Sequence, residues 1–128
     1  IGTTIPYEDA SFDLILDVVS SNSLNEAERR VYVKEMKRLL KPGGHVFVKA
    51  LCKDGDKHAV NLIEKFPGKE KDTYIMPGTG ITERVFSRQD ITDLYKDFEV
   101  INLERKNSYT SFAGKSYKRQ FWLAYLQK

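Results

Sequence analysis

Phe12 to Val19, FDLILDVV, is a near-continuous apolar run of strand length with β-branched residues, and it predicts a strand buried on both faces. The chain then turns abruptly polar through Ser20, Ser21, Asn22 and Ser23. Asn25, with Glu28 three residues on, has capping-box spacing and opens a helix. From Glu26 to Leu40 apolar residues at Ala27, Val31, Tyr32, Met36, Leu39 and Leu40 fall close to helical spacing, with charges on the other face. Lys41-Pro42-Gly43-Gly44 stops that helix, because proline cannot continue it and glycine takes the left-handed geometry of a helix end. His45 to Cys52, HVFVKALC, is a second buried strand. Strand, helix and strand with short connections imply a right-handed βαβ unit and parallel strands.

Lys53 to Phe86 is less regular. Lys57 to Phe66 reads as a short helix, and Pro67, Gly68, Pro77, Gly78 and Gly80 break the rest into a long loop, a feature usually functional or mobile in a compact domain. Ser87 with Asp90 is a second capping-box pattern, predicting a helix from Arg88 to about Tyr95. Phe98 to Lys106 and Tyr117 to Leu126 alternate as strands, joined by a polar loop containing Gly114, and predict an antiparallel hairpin. The order is β-α-β-(loop, α)-β-β, an α/β layered sheet in one domain.

With 128 residues, 41% apolar and 30% charged, the chain is ordinary for a soluble globular domain. No apolar run approaches membrane-span length, and a net charge of +3 is too small to argue for nucleic acid by itself. One cysteine, Cys52, excludes an internal disulfide, fits a reducing cytoplasm and reads as a buried small residue. No Cys or His cluster has metal-ligand spacing, so no metal is expected. His45 and His58 read as packing or solvated residues. The chain opens at Ile1 rather than Met, which suggests a fragment or a processed product.

Three landmarks in order carry a resemblance: IPYEDASFDLIL, RLLKPGGHVFV, and the ending VFSRQDITDLYKDFEVINLERK with KRQFWLAYLQK. Together they resemble the C-terminal half of class I S-adenosylmethionine-dependent methyltransferases. The first is similar to that family's entry to its fourth strand and the second to its turn into the fifth. The third is similar to its last helix and its sixth and seventh strands. The resemblance implies a partial Rossmann-like methyltransferase fold over residues 1–128, with parallel strands four and five and a C-terminal antiparallel hairpin. The family's glycine-rich loop and ribose-binding acid have no match here. Its first three strands are expected to lie N-terminal to Ile1.

Ligands of open α/β sheets bind outside the carboxyl ends of the strands. By resemblance, the cofactor-facing residues are Ile1, Gly2, Ile5, Asp17, Val18 and Ser20. Asp17 stands as a candidate for holding the cofactor's ammonium group or acting as general base, against the plainer reading of a strand-end carboxylate that caps the next segment. The Ser20–Ser23 run is likewise explained either by room for a ligand or by ordinary bonding to local backbone. Tyr74, Met76, Glu83 and Arg84 fall where the family varies its acceptor-binding insertion; the alternative is a solvated surface loop. Lys115, Lys118 and Arg119 with Tyr117 suit either phosphate contact or the charge protection of a sheet edge.

The resemblance implies methyl transfer from S-adenosylmethionine to a small molecule or a protein. The Asn/Asp-Pro-Pro-Tyr type motif of amino-directed nucleic-acid enzymes is absent from DVVSSN, so a nucleic-acid partner is not expected, nor is a membrane. The chain alone is expected to be inactive. The rival reading is a non-catalytic interaction or oligomerisation module. In either case the strand Phe12–Val19 becomes a bare edge that invites a second copy or a complementary N-terminal chain.

Overall fold

The computed structural model describes residues 4–128. A four-stranded mixed sheet runs in the order β1-β2-β6-β5, from β1 (Phe12–Val18), β2 (Leu40–Leu51), β5 (Glu99–Phe112) and β6 (Lys115–Gln127). β1 and β2 are parallel, and both β2–β6 and β6–β5 are antiparallel. The connection between β1 and β2 is a short 3₁₀ turn at Ser21–Ser23 and helix α1 (Glu26–Leu39).

Both capping boxes form. Asn25 accepts the N–H of Glu28 and Glu28 returns to Asn25, and Ser87 and Asp90 do the same at the start of α3 (Arg88–Leu94). α1 and α3 cover one sheet face, where Tyr32, Met36, Val46, Val48, Ile91, Tyr95, Trp122, Ala124 and Leu126 form the main core. Helix α2 (Lys57–Lys65) packs against the opposite face, around Leu51, Leu62, Tyr74, Val85 and Phe121.

Three sequence expectations change. β1 is not buried on both faces: Ile15 joins the main core, but Leu14, Leu16 and Val18 are 52%, 63% and 59% exposed. The reason is position, since β1 is an outer strand and α2 does not extend over it. The long loop holds a small second sheet, β3 (Thr73–Ile75) against β4 (Thr82–Arg84). The hairpin is longer than the apolar alternation indicated, its ladder running to the pair Phe112–Lys115. Only Ala113 and Gly114 turn the chain, with φ 51° and 77°, and positive φ at both central residues marks the turn that matches strand twist.

Candidate functional site

The carboxyl ends of β1 and β2 meet where Val19 donates its N–H to the Lys49 carbonyl at 2.8 Å. Val19 then takes φ 56°, a left-handed conformation that is a genuine outlier for a β-branched residue and costs on the order of 1–3 kcal/mol. Asp17 stabilises this exit by accepting the Ser20 N–H at 2.9 Å. The chain leaves the sheet through a strained residue whose neighbours, Val18 and Ser20, are both exposed.

Asp17 itself is fully buried on the helical face, so its carboxylate points away from the open edge. Period-two alternation puts it beneath α1, opposite Leu16 and Val18, and its bond to Ser20 suits the plainer reading of a strand-end carboxylate that caps the next segment. Its charge lies beside the Tyr32 and Tyr95 phenols, which burial first and then Asp17 push above the ordinary tyrosine range. Four buried oxygens here, Asp17 Oδ2, Ser21 Oγ, Asn22 Oδ1 and the Tyr95 hydroxyl, have no hydrogen-bond partner among the described residues.

The polar turn is clamped from below by Arg29, whose side chain is completely buried. Its guanidinium donates to the Ser21 carbonyl at 3.0 Å, to the Leu24 carbonyl, and to Glu26 at 3.0 Å. Reading α1 as one charged and one apolar face missed Arg29. The signal was present, because position 29 stands at i, i+3, i+4 and i+7 with Tyr32, Val33 and Met36. Asn22 ties the turn to the insertion by donating to the Arg84 carbonyl at 2.7 Å.

Ile5 is held at the other end of the βα unit. Its carbonyl accepts from Arg38 at 2.9 Å, and Arg38 lies in the last turn of α1, beside the start of β1. The structure therefore does not bring Ile5 to Val18 and Ser20. Ile1 and Gly2 lie outside the described residues.

The four insertion candidates are placed as packing rather than as an open surface. Tyr74 is 0% exposed; its hydroxyl donates to Glu83 at 2.9 Å and accepts from Arg119 at 3.0 Å. Met76 packs on the second core, and Arg84 pairs with Glu26 at 2.6 Å and Asp90 at 3.4 Å. Arg119 is not a surface cation either. It bonds Asp56 at 3.0 Å, and Asp56 also caps α2 through the Ala59 N–H at 2.8 Å. A surface loop would leave these charges in water; the small second sheet instead folds them inward.

A cleft of about 590 Å³ separates α1 from α3, lined by Glu26, Arg29, Arg84, Phe86 and Asp90 among others. The guanidiniums of Arg29 and Arg84 sit 5.2 and 5.0 Å from the Phe86 ring centroid and pair with Glu26 and Asp90. It joins the insertion to the helices and shares Arg29 with the clamp under the polar turn. Among the described residues no group of three or more His, Cys, Asp or Glu side chains has a metal-holding arrangement. Among the described residues no helix is long and apolar enough to cross a membrane.

Residues 2–48 match a family model described as a methyltransferase domain. No curated protein matches the chain. The whole chain superposes on 64% of a SAM-dependent methyltransferase from Methanosarcina mazei, with TM-score 0.83 and 23% identity. It covers 46% of a 1,6-didemethyltoxoflavin-N1-methyltransferase from Burkholderia thailandensis, with 95% of this chain aligned, TM-score 0.65 and 14% identity. A SAM-dependent methyltransferase from Anabaena variabilis is covered to 47% by 88% of this chain, at TM-score 0.62 and 17% identity. The chain thus spans from under half to about two thirds of the length of these structures, and it carries the class I methyltransferase fold over that span.

Proposed function

We propose that this chain forms the strand-four and strand-five side of an S-adenosylmethionine-dependent methyltransferase that acts on a small molecule or a protein. The observation that carries the reading is the β1 exit. A strained Val19, between exposed Val18 and Ser20, stands at the carboxyl edge where sheets of this fold receive ligands. The Burkholderia protein was solved with S-adenosylhomocysteine bound, which supports the same cofactor class here.

The described residues fit one wall of such a site. Val18 and Ser20 would face the cofactor, while Asp17, Asn22 and Arg29 hold their backbone from beneath. No glycine cradle is among them: a Cβ at Gly78 or Gly80 would meet nothing within 4 Å, so neither is shaped by a close approach. When bound, S-adenosylmethionine supplies a methyl carbon made electrophilic by its sulfonium. This chain's contribution is position: a fixed turn that sets the acceptor in line and an apolar floor that excludes water.

The second wall comes from a chain seated along β1. Leu14, Leu16 and Val18 form an apolar stripe on an outer strand, which suits a further strand from a second copy or a complementary polypeptide. The stripe also favours the rival reading, an interaction module without catalysis.

Titration of S-adenosylhomocysteine followed by amide chemical shifts separates the two. The expected result is weak binding, with shifts confined to Val18, Val19, Ser20 and their neighbours, and lost in Val18→Arg. Shifts absent from these amides at millimolar ligand would sink the cofactor reading and leave the interaction module. Tight binding by the chain alone would instead remove the need for a second wall.

A further inference from the structure

β5 and β6 outrun their sheet. β2 pairs with β6 only from Gln127 back to Phe121, whereas the β5–β6 ladder continues through Asn107–Gln120 to Phe112–Lys115. Residues 107–120 are therefore a two-stranded ribbon with no third strand. From Arg105 to Arg119 the sequence RKNSYTSFAGKSYKR holds five cations and no Asp or Glu. Of 21 Lys and Arg, 16 remain elsewhere against 18 Asp and Glu, so the rest of the chain is net negative. The whole positive excess sits on this ribbon. An overall charge of +3 conceals it, which is why composition gave no reason to expect a nucleic-acid partner.

The ribbon's two faces differ. Phe112, Tyr117 and Arg119 point to α2, where His58 stacks on Tyr117 at 4.1 Å and Arg119 meets Asp56. Alternation puts Arg105, Asn107, Tyr109 and their cross-strand partners Gln120 and Lys118 on the other face. Tyr109 is 68% exposed, and Lys118, directly opposite, is also exposed. Arg105 is steadied by the Asp54 carbonyl at 3.1 Å. The register puts Lys106 and Lys115 on the α2 face with Arg119, and the two cations of the outer face, Arg105 and Lys118, have no acidic partner among the described residues.

We infer that this outer face binds single-stranded nucleic acid. An exposed ring offers a stacking platform for a base, Arg105 and Lys118 meet phosphates, and the Asn107–Gln120 pair offers amide donors and acceptors. Protection of a sheet edge needs charges of either sign; it does not explain two cations and no acid beside an exposed aromatic ring. The inference does not rest on the cofactor reading, because the ribbon stands on β5 and β6 and not on the β1 exit.

Fluorescence anisotropy with labelled oligo(U) and oligo(dT) of about twelve nucleotides, at about 50 mM salt, tests it. Binding of at least one is expected, with log affinity falling against log salt at a slope of about −1.4, as for two neutralised phosphates. Tyr109→Ala with Lys118→Glu should weaken binding at least about tenfold, the scale of losing one stacked base and one phosphate contact. Lys34→Glu, an equal charge change on exposed α1, should leave affinity within about twofold, since it removes no ribbon contact. Near-ultraviolet circular dichroism confirms that each variant folds. No binding, or equal losses in the two variants, overturns the inference. So does poly-glutamate binding as tightly as the oligonucleotides, because that would show attraction to any polyanion, with no part for stacking.

Discussion

Cys52 and His58 illustrate how burial decides a side chain's chemistry. Cys52 is fully enclosed, and burial pushes its thiol up to about 12. At neutral pH it is a thiol without thiolate character, so a disulfide-exchange reagent should react only after denaturant unfolds the chain. Fast labelling of the native protein would contradict this. His58 is held below its ordinary 6.5, first by burial and then by the Arg119 charge. The unfolded chain then takes up a proton near 6.5 that the folded chain refuses. His58 therefore costs no stability above 6.5, and the protein loses stability as pH falls below it. On acidification below 6.5 the melting temperature should fall less steeply in His58→Gln than in wild type. The sequence marks Cys52 as a buried small residue and leaves His58 either packed or solvated. For Asp17 it leaves both readings open, because strand alternation identifies which residues share a face but not which face meets the helices.

At the scale of elements, the sequence was most legible where local chemistry alone decides. Two capping boxes predicted the starts of α1 and α3, and Asn25→Ala should cost about 1 kcal/mol in a urea titration. The hairpin was legible only in its inner half. Beyond Phe121 neither strand faces another sheet layer on its outer side, so no apolar alternation marks residues 107–116 as strands. Its turn carries a flaw that can be used. Ala113 holds φ 51°, which suits Asn far better than Ala, and Gly114 already follows it. Ala113→Asn should stabilise the protein by up to about 1 kcal/mol, read as a rise in melting temperature. The insertion between α2 and α3 was illegible for the opposite reason. Its Tyr74 bonds Glu83 and also Arg119 of β6, and a partner 45 residues away leaves no local trace.

For the molecule as a whole, the open flank of the sheet governs behaviour in solution. Leu14, Leu16 and Val18 are exposed on a strand with a free edge, an arrangement that invites pairing. Leu16→Lys should lower concentration-dependent association in sedimentation velocity and leave the melt unchanged, since this side chain packs on little. Equal association in both proteins would show that the flank is not sticky. Topology has one more consequence. β6 follows β5 in sequence and yet lies between β5 and β2 in the sheet. Until β6 is in place, β5 has no partner among these strands and the main core lacks Trp122, Ala124 and Leu126. This part of the sheet therefore cannot be laid down strand by strand in the order of translation. Its closure waits for β6, and a chain cut before Phe121 loses the strand that joins β2 to β5 and leaves both open to proteolysis.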